Sequence, residues 1–446
     1  MLAFVKSILK LLMVPLFFIG GLVVMLITAL KNAKWGLFML ILAVPQPNIW
    51  YKFHEYPLGK DFLDLLFLSI VLGIFIQKHG FAKTGNSFII VLYILVSYMS
   101  LIKASVGFSL PMPISGANPL LLDWKNYAQM IFMYFLALNI LKEEDQQKQA
   151  VMLITAVVLL ISVRSFRSFS GGESFDYNKR AGGPFEAVGL GANHLGAFIA
   201  DYASLALAFF IIEREKLKKY FYLATCAFSL HPLFFSYSRG AYLAAATAFG
   251  FFGIVKKRIF LVILIVVGIS WQTVLPVSVV DRIMMTENEE GELESSAAQR
   301  LVLWEHALDQ FKNNPVFGIG FNSFGFTVEE GELTDTHNFY LKTLSEQGLI
   351  GISLLAILLF KAFLSGMRLY KNAGTNFQRA LGLGFMGTVI SMSITNIFGD
   401  RWSYFVLGGY FWILWGIVDR CCLSICARQA SSEGQPQGHG GALETA

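Results

Sequence analysis

The tract Thr336-His337-Asn338-Phe339, followed after eight residues by Gly348-Leu349-Ile350-Gly351, carries the side chain best suited to moving a proton. An imidazole titrates near ~6.5 when unperturbed, so it is neutral and basic close to neutral pH. Asp335 stands two residues earlier, where it either orients the ring or is simply solvated. Arginine is the second chemically informative type. Arg239 lies in Ser236-Tyr237-Ser238-Arg239-Gly240, between two apolar runs with almost no loop. Arg180 lies in Asn178-Lys179-Arg180-Ala181-Gly182-Gly183-Pro184, which leads to Gly191-Ala192-Asn193-His194. A guanidinium fork matches phosphate oxygens two at a time, a lysine adds a point charge, and glycine lets backbone approach closely. No Walker-type spacing is present, so this is not a nucleotide loop. Arg164 and Arg167 lie upstream in the same region. Arg300 opens a later helix and either faces a cavity or pairs with Glu305.

These residues must be held by elements that a soluble protein would not use. Of 446 residues, 55% are hydrophobic and 15% charged, and the mean hydropathy is +0.58. That is too little charge to cover a soluble surface of this size. Apolar runs near 20 residues recur between short charged loops, and each is long enough to cross a hydrocarbon core of ~30 Å as a helix. The expected fold is all-α, a polytopic transmembrane bundle of about twelve to fourteen spans. A β-barrel would instead show alternating segments of ~10 residues. Met1–Leu30 has Lys6 and Lys10 but no small-x-small cleavage site, so it reads as a retained span. The four cysteines, Cys226, Cys421, Cys422 and Cys426, match no zinc pattern and read as free thiols. No nucleic-acid motif appears, and the carboxylates form no pair of the kind a metal-dependent glycosyltransferase uses, so no metal and no cofactor are expected.

Lysine and arginine set the orientation. Lys216 through Lys219, Lys256-Lys257-Arg258 and Lys361 through Arg379 fall on one face under this span reading, which is taken as cytoplasmic. The opposite face carries Val277–Asn338, with twelve acids and three bases, a net of −9; the remainder has 32 bases against 18 acids. The run Glu287–Glu294 reads as a solvated loop. A helix capped by Ser295 or Ser296 follows, with Leu301, Trp304, Leu308 and Phe311 at helical spacing, expected to lie on the outer surface over a cavity. Asn313-Asn314-Pro315 ends it, and Gly318-Ile319-Gly320-Phe321 reads as a tight turn. The expected organisation is thus residues 1–276 as N-terminal spans, 277–338 as the external loop, 339–420 as C-terminal spans and 421–446 as a cytoplasmic tail, disordered from Ser431.

His337-Asn338, nine residues, then Gly348-x-x-Gly351 resembles the signature of the O-antigen ligase and polymerase superfamily. Arg300-x-x-x-Trp304 and Pro315-x-x-Gly318-x-Gly320 resemble that family's long periplasmic loop, and Ser238-Arg239-Gly240 and the Arg180 to Asn193 region resemble its two other recurring sites. The resemblance implies a multi-pass enzyme of the bacterial inner membrane with its site on the periplasmic side. Such an enzyme moves a glycan from an undecaprenyl-diphosphate carrier to an acceptor hydroxyl, on lipid A–core or another acceptor. It further implies His337 as base, Arg180 and Arg239 at the diphosphate, Arg300 as the third arginine, and Asn193 and Asn338 beside the substrate, in a metal-independent reaction that inverts the anomeric centre. A polymerase of the same superfamily would use the same residues. A polysaccharide-lipid transporter, the reading from another class, would place charges near the bilayer midplane within inverted repeats; here the singled-out residues gather at one surface and no repeat is visible.

The topology has a direct check. In a variant stripped of native cysteines, single cysteines at Glu290 and Lys257 are expected to react oppositely with an impermeant thiol reagent on intact spheroplasts. Glu290 labels and Lys257 does not; the reverse pattern inverts the orientation.

Overall fold

A computed structural model describes residues 2–169, 174–285, 295–328 and 335–433. Sixteen α-helices run through these residues: α1 (Leu2–Leu30), α2 (Ala33–Ala43), α3 (Pro47–Trp50), α4 (Phe62–Ile76), α5 (Ser87–Gly107), α6 (Leu121–Ile140), α7 (Glu144–Ser168), α8 (Ala192–Ile212), α9 (Lys216–Phe235), α10 (Arg239–Val255), α11 (Ile259–Val274), α12 (Val277–Met284), α13 (Ser295–Asn313), α14 (Phe339–Asn372), α15 (Asn376–Thr395) and α16 (Phe405–Glu433). No strand occurs among the described residues. The chain is an all-α helical bundle, as its composition leads one to expect.

Five helices are long and apolar enough to cross a membrane: α5, α7, α8, α14 and α16. A sixth is added if α11 and α12, bent by 100° at Pro276, form one broken span. This is fewer than twelve to fourteen, and the difference has two sources. Some expected spans are short, such as α2, α4 and α10. Others carry polar groups that neighbouring helices cover. α15 is the clearest case: Gln378, Thr388, Ser391 and Thr395 are all buried, because α8, α10 and α14 pack around it. A helix screened from lipid by its neighbours does not need an apolar surface.

The core lies where α6, α8, α15 and α16 meet, with Trp402, Trp412 and Trp415 buried among them. The rim is the reverse. α11 buries none of its residues, and Val262, Ile265, Val266 and Ile269 all stand exposed, which is the surface hydrocarbon would cover. At the C-terminus, α16 continues through Cys421 to Glu433, so the tail expected from residue 421 starts as helix; its remainder, 434–446, lies outside the described residues, as does the acidic run Glu287–Glu294. All four cysteines are free thiols.

α13 forms where its sequence places it, but its covered face is not the one the spacing suggests. Leu301 and Leu308 are exposed, whereas Leu303 and Ala307 are buried against Phe324, Val328 and Leu341. The stripe is rotated because the chain returns under the helix: Trp304 Nε1 donates to the Thr336 carbonyl at 3.0 Å.

That return depends on a backbone crossing. α14 is broken at Gly348, where φ is +63°. Residues 315–320 cross at the break and pair with it: Ile319 N donates to Ser345 O (2.9 Å), Gly320 N to Glu346 O (2.8 Å) and Leu349 N to Pro315 O (2.8 Å). A Cβ on Gly348 would stand 2.4 Å from the Val316 carbonyl carbon, and one on Gly318 would stand 2.2 Å from that of Glu346. The two glycine motifs of the sequence are thus the two halves of one contact. Gly318-Ile319-Gly320-Phe321 is a paired crossing more than a free turn. Gly348→Ala combines this clash with a strained φ and is expected to destabilise by at least ~2 kcal/mol. In a detergent thermal melt its midpoint should fall by several degrees, while Gly268→Ala, at a glycine with open space around it, should melt like the parent.

Candidate active site

His337 ends the returning segment, immediately before α14. Asn338 is the N-cap of that helix: its Oδ1 accepts from Tyr340 N (3.0 Å) and Leu341 N (3.2 Å). Thr336 Oγ1 donates to the Asn338 carbonyl at 2.9 Å, and Phe339 N donates to Asn396 O at 2.9 Å. With both neighbours fixed, His337 takes φ +51°, a left-handed backbone that L-residues seldom adopt. Its N–H donates to Asp335 Oδ1 at 3.1 Å, and its Nδ1 faces Asp335 Oδ2 at 3.7 Å. Asp335 thus bonds the backbone of His337 and sets its second oxygen beside the ring.

Charge around the ring sets its protonation. Burial lowers the proton affinity of His337 most; Asp335 raises it, Arg300 and Arg401 lower it, and Asp400 raises it. The sum is a pKa below the ordinary value. Arg300, open between two orientations in the sequence, is therefore within electrostatic reach of the histidine. Arg401 and Asp400 were not among the residues singled out from sequence. They lie in the short connection between α15 and α16, held by Asn396, whose Oδ1 accepts from Arg401 N and Trp402 N at 3.0 Å each. Asp400 pairs with Lys342 on α14 at 3.0 Å, and the Lys342 and Asp400 side chains are only 16% and 1% exposed. The signal was available: Asp400-Arg401 sits between apolar runs with almost no loop, the same pattern that drew attention to Arg239.

Arg180 belongs to a second basic group. Its Nε and Nη2 donate to the Ser236 carbonyl at 2.9 and 2.7 Å, Nη2 also donates to Asn193 Oδ1 at 2.5 Å, and the guanidinium lies over the Tyr177 ring. Ala181 N donates to Phe235 O at 3.0 Å, so the Arg180 loop is zipped to the turn before α10. Burial lowers the proton affinity of Arg180, and the nearby charge of Arg282 lowers it further. Arg282, on α12, is buried over Phe175 and was also missed from sequence, where it reads as one base in an acidic loop. Two guanidinium groups held close together in a partly dry setting favour an anion between or beside them. Arg180 also lines a cavity of about 660 Å³ with Arg164, Arg167 and Lys179.

The groups meet through Asn193-His194. Asn193 holds Arg180, while the His194 ring meets Tyr404 edge-on at 5.4 Å, next to Arg401. His194 Nδ1 is buried with no hydrogen-bond partner among the described residues. Arg239 starts α10, half-buried, and Gly240 packs on Phe398 of the same connection that carries Arg401. Arg300 and Arg401 are thus within electrostatic reach of His337, Asn193-His194 links Arg180 to the Arg401 side, and Arg239 stands next to Gly240, which packs on Phe398. Asn338 is engaged with backbone groups. Among the described residues no group of three or more His, Cys, Asp or Glu side chains is arranged for a metal ion.

The protonation state can be read without substrate. Carbethoxylation of His337, followed by mass spectrometry against pH, should show a midpoint below ~6.5. Asp335→Asn removes the charge that supports the proton and should shift the midpoint lower still. An upward shift contradicts the assigned geometry.

Two comparisons with known proteins bear on this arrangement. Residues 224–356 match a family model described as O-antigen ligase, a stretch that includes Arg239, Arg282, Arg300, His337 and Gly348-x-x-Gly351. No curated protein matches the chain.

Proposed function

We propose that this chain, whose residues 224–356 match the O-antigen ligase family model, transfers a glycan from an undecaprenyl-diphosphate-linked donor to an acceptor hydroxyl on lipid A–core or a comparable acceptor. The reaction takes place at the periplasmic face of the bacterial inner membrane, and the lysine and arginine distribution of the loops supports that placement. The observation that carries the proposal is a histidine of lowered proton affinity, with a carboxylate 3.7 Å from its ring, within electrostatic reach of Arg300 and Arg401.

The roles follow from charge. With Nδ1 turned to Asp335, Nε2 of His337 is left to take the proton of the acceptor hydroxyl. The oxygen attacks the anomeric carbon from the side opposite the diphosphate. As the new C–O bond forms, the bond to the diphosphate breaks, and the electron pair leaves on the phosphate. A single displacement inverts the anomeric centre. Asp335 then stabilises the imidazolium, and Arg180, Arg239 and Arg300 bind the charge that develops on the leaving group. Arg300 and Arg401 keep the resting ring neutral; the incoming diphosphate offsets their repulsion when the ring becomes cationic. Asn193 keeps Arg180 aimed, and Asn338 holds the start of α14. No step uses a metal.

Replacement of His337 by Asn, which tolerates a positive φ, is expected to cut transfer from a purified lipid-diphosphate donor by about 10²–10⁴-fold. Donor binding should be retained. Arg180→Lys keeps the charge but loses the planar fork, so donor affinity or turnover should fall clearly. Wild-type turnover should survive EDTA. Near-normal transfer by the His337 variant would overturn the base assignment, and loss on EDTA treatment would overturn the metal-free mechanism.

A further inference from the structure

A second cavity, about 420 Å³, opens beside the histidine segment and differs in kind from the basic one. Its ionisable wall is Asp123, Glu346, Asp400 and Lys342, three carboxylates to one ammonium. The cavity of about 660 Å³ carries Arg164, Arg167, Lys179 and Arg180 against Glu186. One loop separates them. Residues Asn178 to Glu186 line the basic cavity, and Val188 and Leu190 line the acidic one. Tyr404, on the acidic side, is the residue whose ring meets His194. The two cavities thus lie on either side of this loop, with opposite charge balance.

The acidic cavity is built from fixed parts. Glu346 is 2% exposed, and its oxygens accept from Asn322 N (2.9 Å) and Phe324 N (3.2 Å). Asp400 is tied to Lys342. That leaves Asp123 at the mouth, exposed, accepting from Asn322 Nδ2 at 2.9 Å, with Asn126 one helical turn on. Gln347, on the same wall, is 4% exposed, and its Oε1 has no hydrogen-bond partner among the described residues. Aromatic side chains, Tyr127 and Tyr404 among them, complete the lining. Acceptor oxygens beside flat apolar faces suit a ligand rich in hydroxyl donors with apolar C–H surfaces, and the excess of carboxylate disfavours phosphate.

We infer that this acidic cavity is the acceptor subsite and takes an uncharged or amine-bearing sugar end, not a phosphorylated one. The inference rests on the glycan-transfer reading above. It gives each cavity one reactant: diphosphate on the basic side, sugar hydroxyl on the acidic side, with the base between them.

The test uses the full chain in nanodiscs and saturation-transfer NMR with three probes: methyl hexoside, glucosamine and glucose 6-phosphate. Wild type is expected to bind the first two, with the phosphorylated sugar at least tenfold weaker. Asp123→Ala and Asn126→Ala, both at accessible positions, should each weaken the hexoside several-fold, whereas Arg180→Lys should leave it unchanged. Undecaprenyl diphosphate, titrated in parallel, should respond in the opposite way to the same three variants. Preference for glucose 6-phosphate, or hexoside binding untouched by both alanine variants, overturns the acceptor assignment. Undecaprenyl diphosphate binding that ignores Arg180→Lys, with the sugar pattern as expected, would count against the diphosphate clamp alone.

Discussion

No side chain fits where residues 316–318 cross residues 346–348. The backbones approach so closely that any Cβ on Gly318 or Gly348 would overlap a peptide group of the other segment. Everything near the histidine depends on this contact. It breaks α14 after its first turns and ties the end of α13 to the bundle. It also brings the chain back so that Trp304 can hold the Thr336 carbonyl. His337 is then held between Asp335 and a capped helix start, in a backbone conformation that only a well-determined surrounding would maintain.

Onto this scaffold the chain places its charges in an unusual balance. Arginines gather from the loop before α8, from the first turn of α10, from α12, from α13 and from the connection between α15 and α16. Arg282 and Arg401 are largely buried. Such a gathering costs free energy in the empty protein, since like charges repel and burial strips them of water. A bound anion would offset that cost. On the other side of the Arg180 loop Asp123, Glu346 and Asp400 line a cavity with Lys342.

Much of this was legible in the amino-acid order. The all-α fold followed from composition. His337, Arg180, Arg239 and Arg300 stood out because charge or imidazole between apolar runs has few structural reasons to be there; the structure sets Arg300 within electrostatic reach of His337 and Arg180 against Asn193. Other features lay beyond linear reading. Arg282 was one of three bases in an acidic segment, and its approach to Arg180 comes from the fold of α12. Periodicity could identify α13 as amphipathic, but which face is covered depends on a strand of chain returning beneath it. Length and composition single out fewer helices than the runs counted from the sequence, because short helices and helices wrapped by others, such as α15, lack a long lipid-facing apolar surface. Asn338 was read as a substrate contact, yet the need to satisfy free N–H groups at the start of α14 claims its side-chain oxygen first.

The loop from Asn178 to Leu190 has a different ligand environment on each of its two faces. A wall shared by two sites makes them thermodynamically linked. If an occupant of one side restricts the loop, the free energy for doing so is spent once, and the other side meets a wall already set. The change in affinity must then be the same factor whichever ligand arrives first. Were the loop restricted in this way, the two pockets would act as one cooperative unit without subunits.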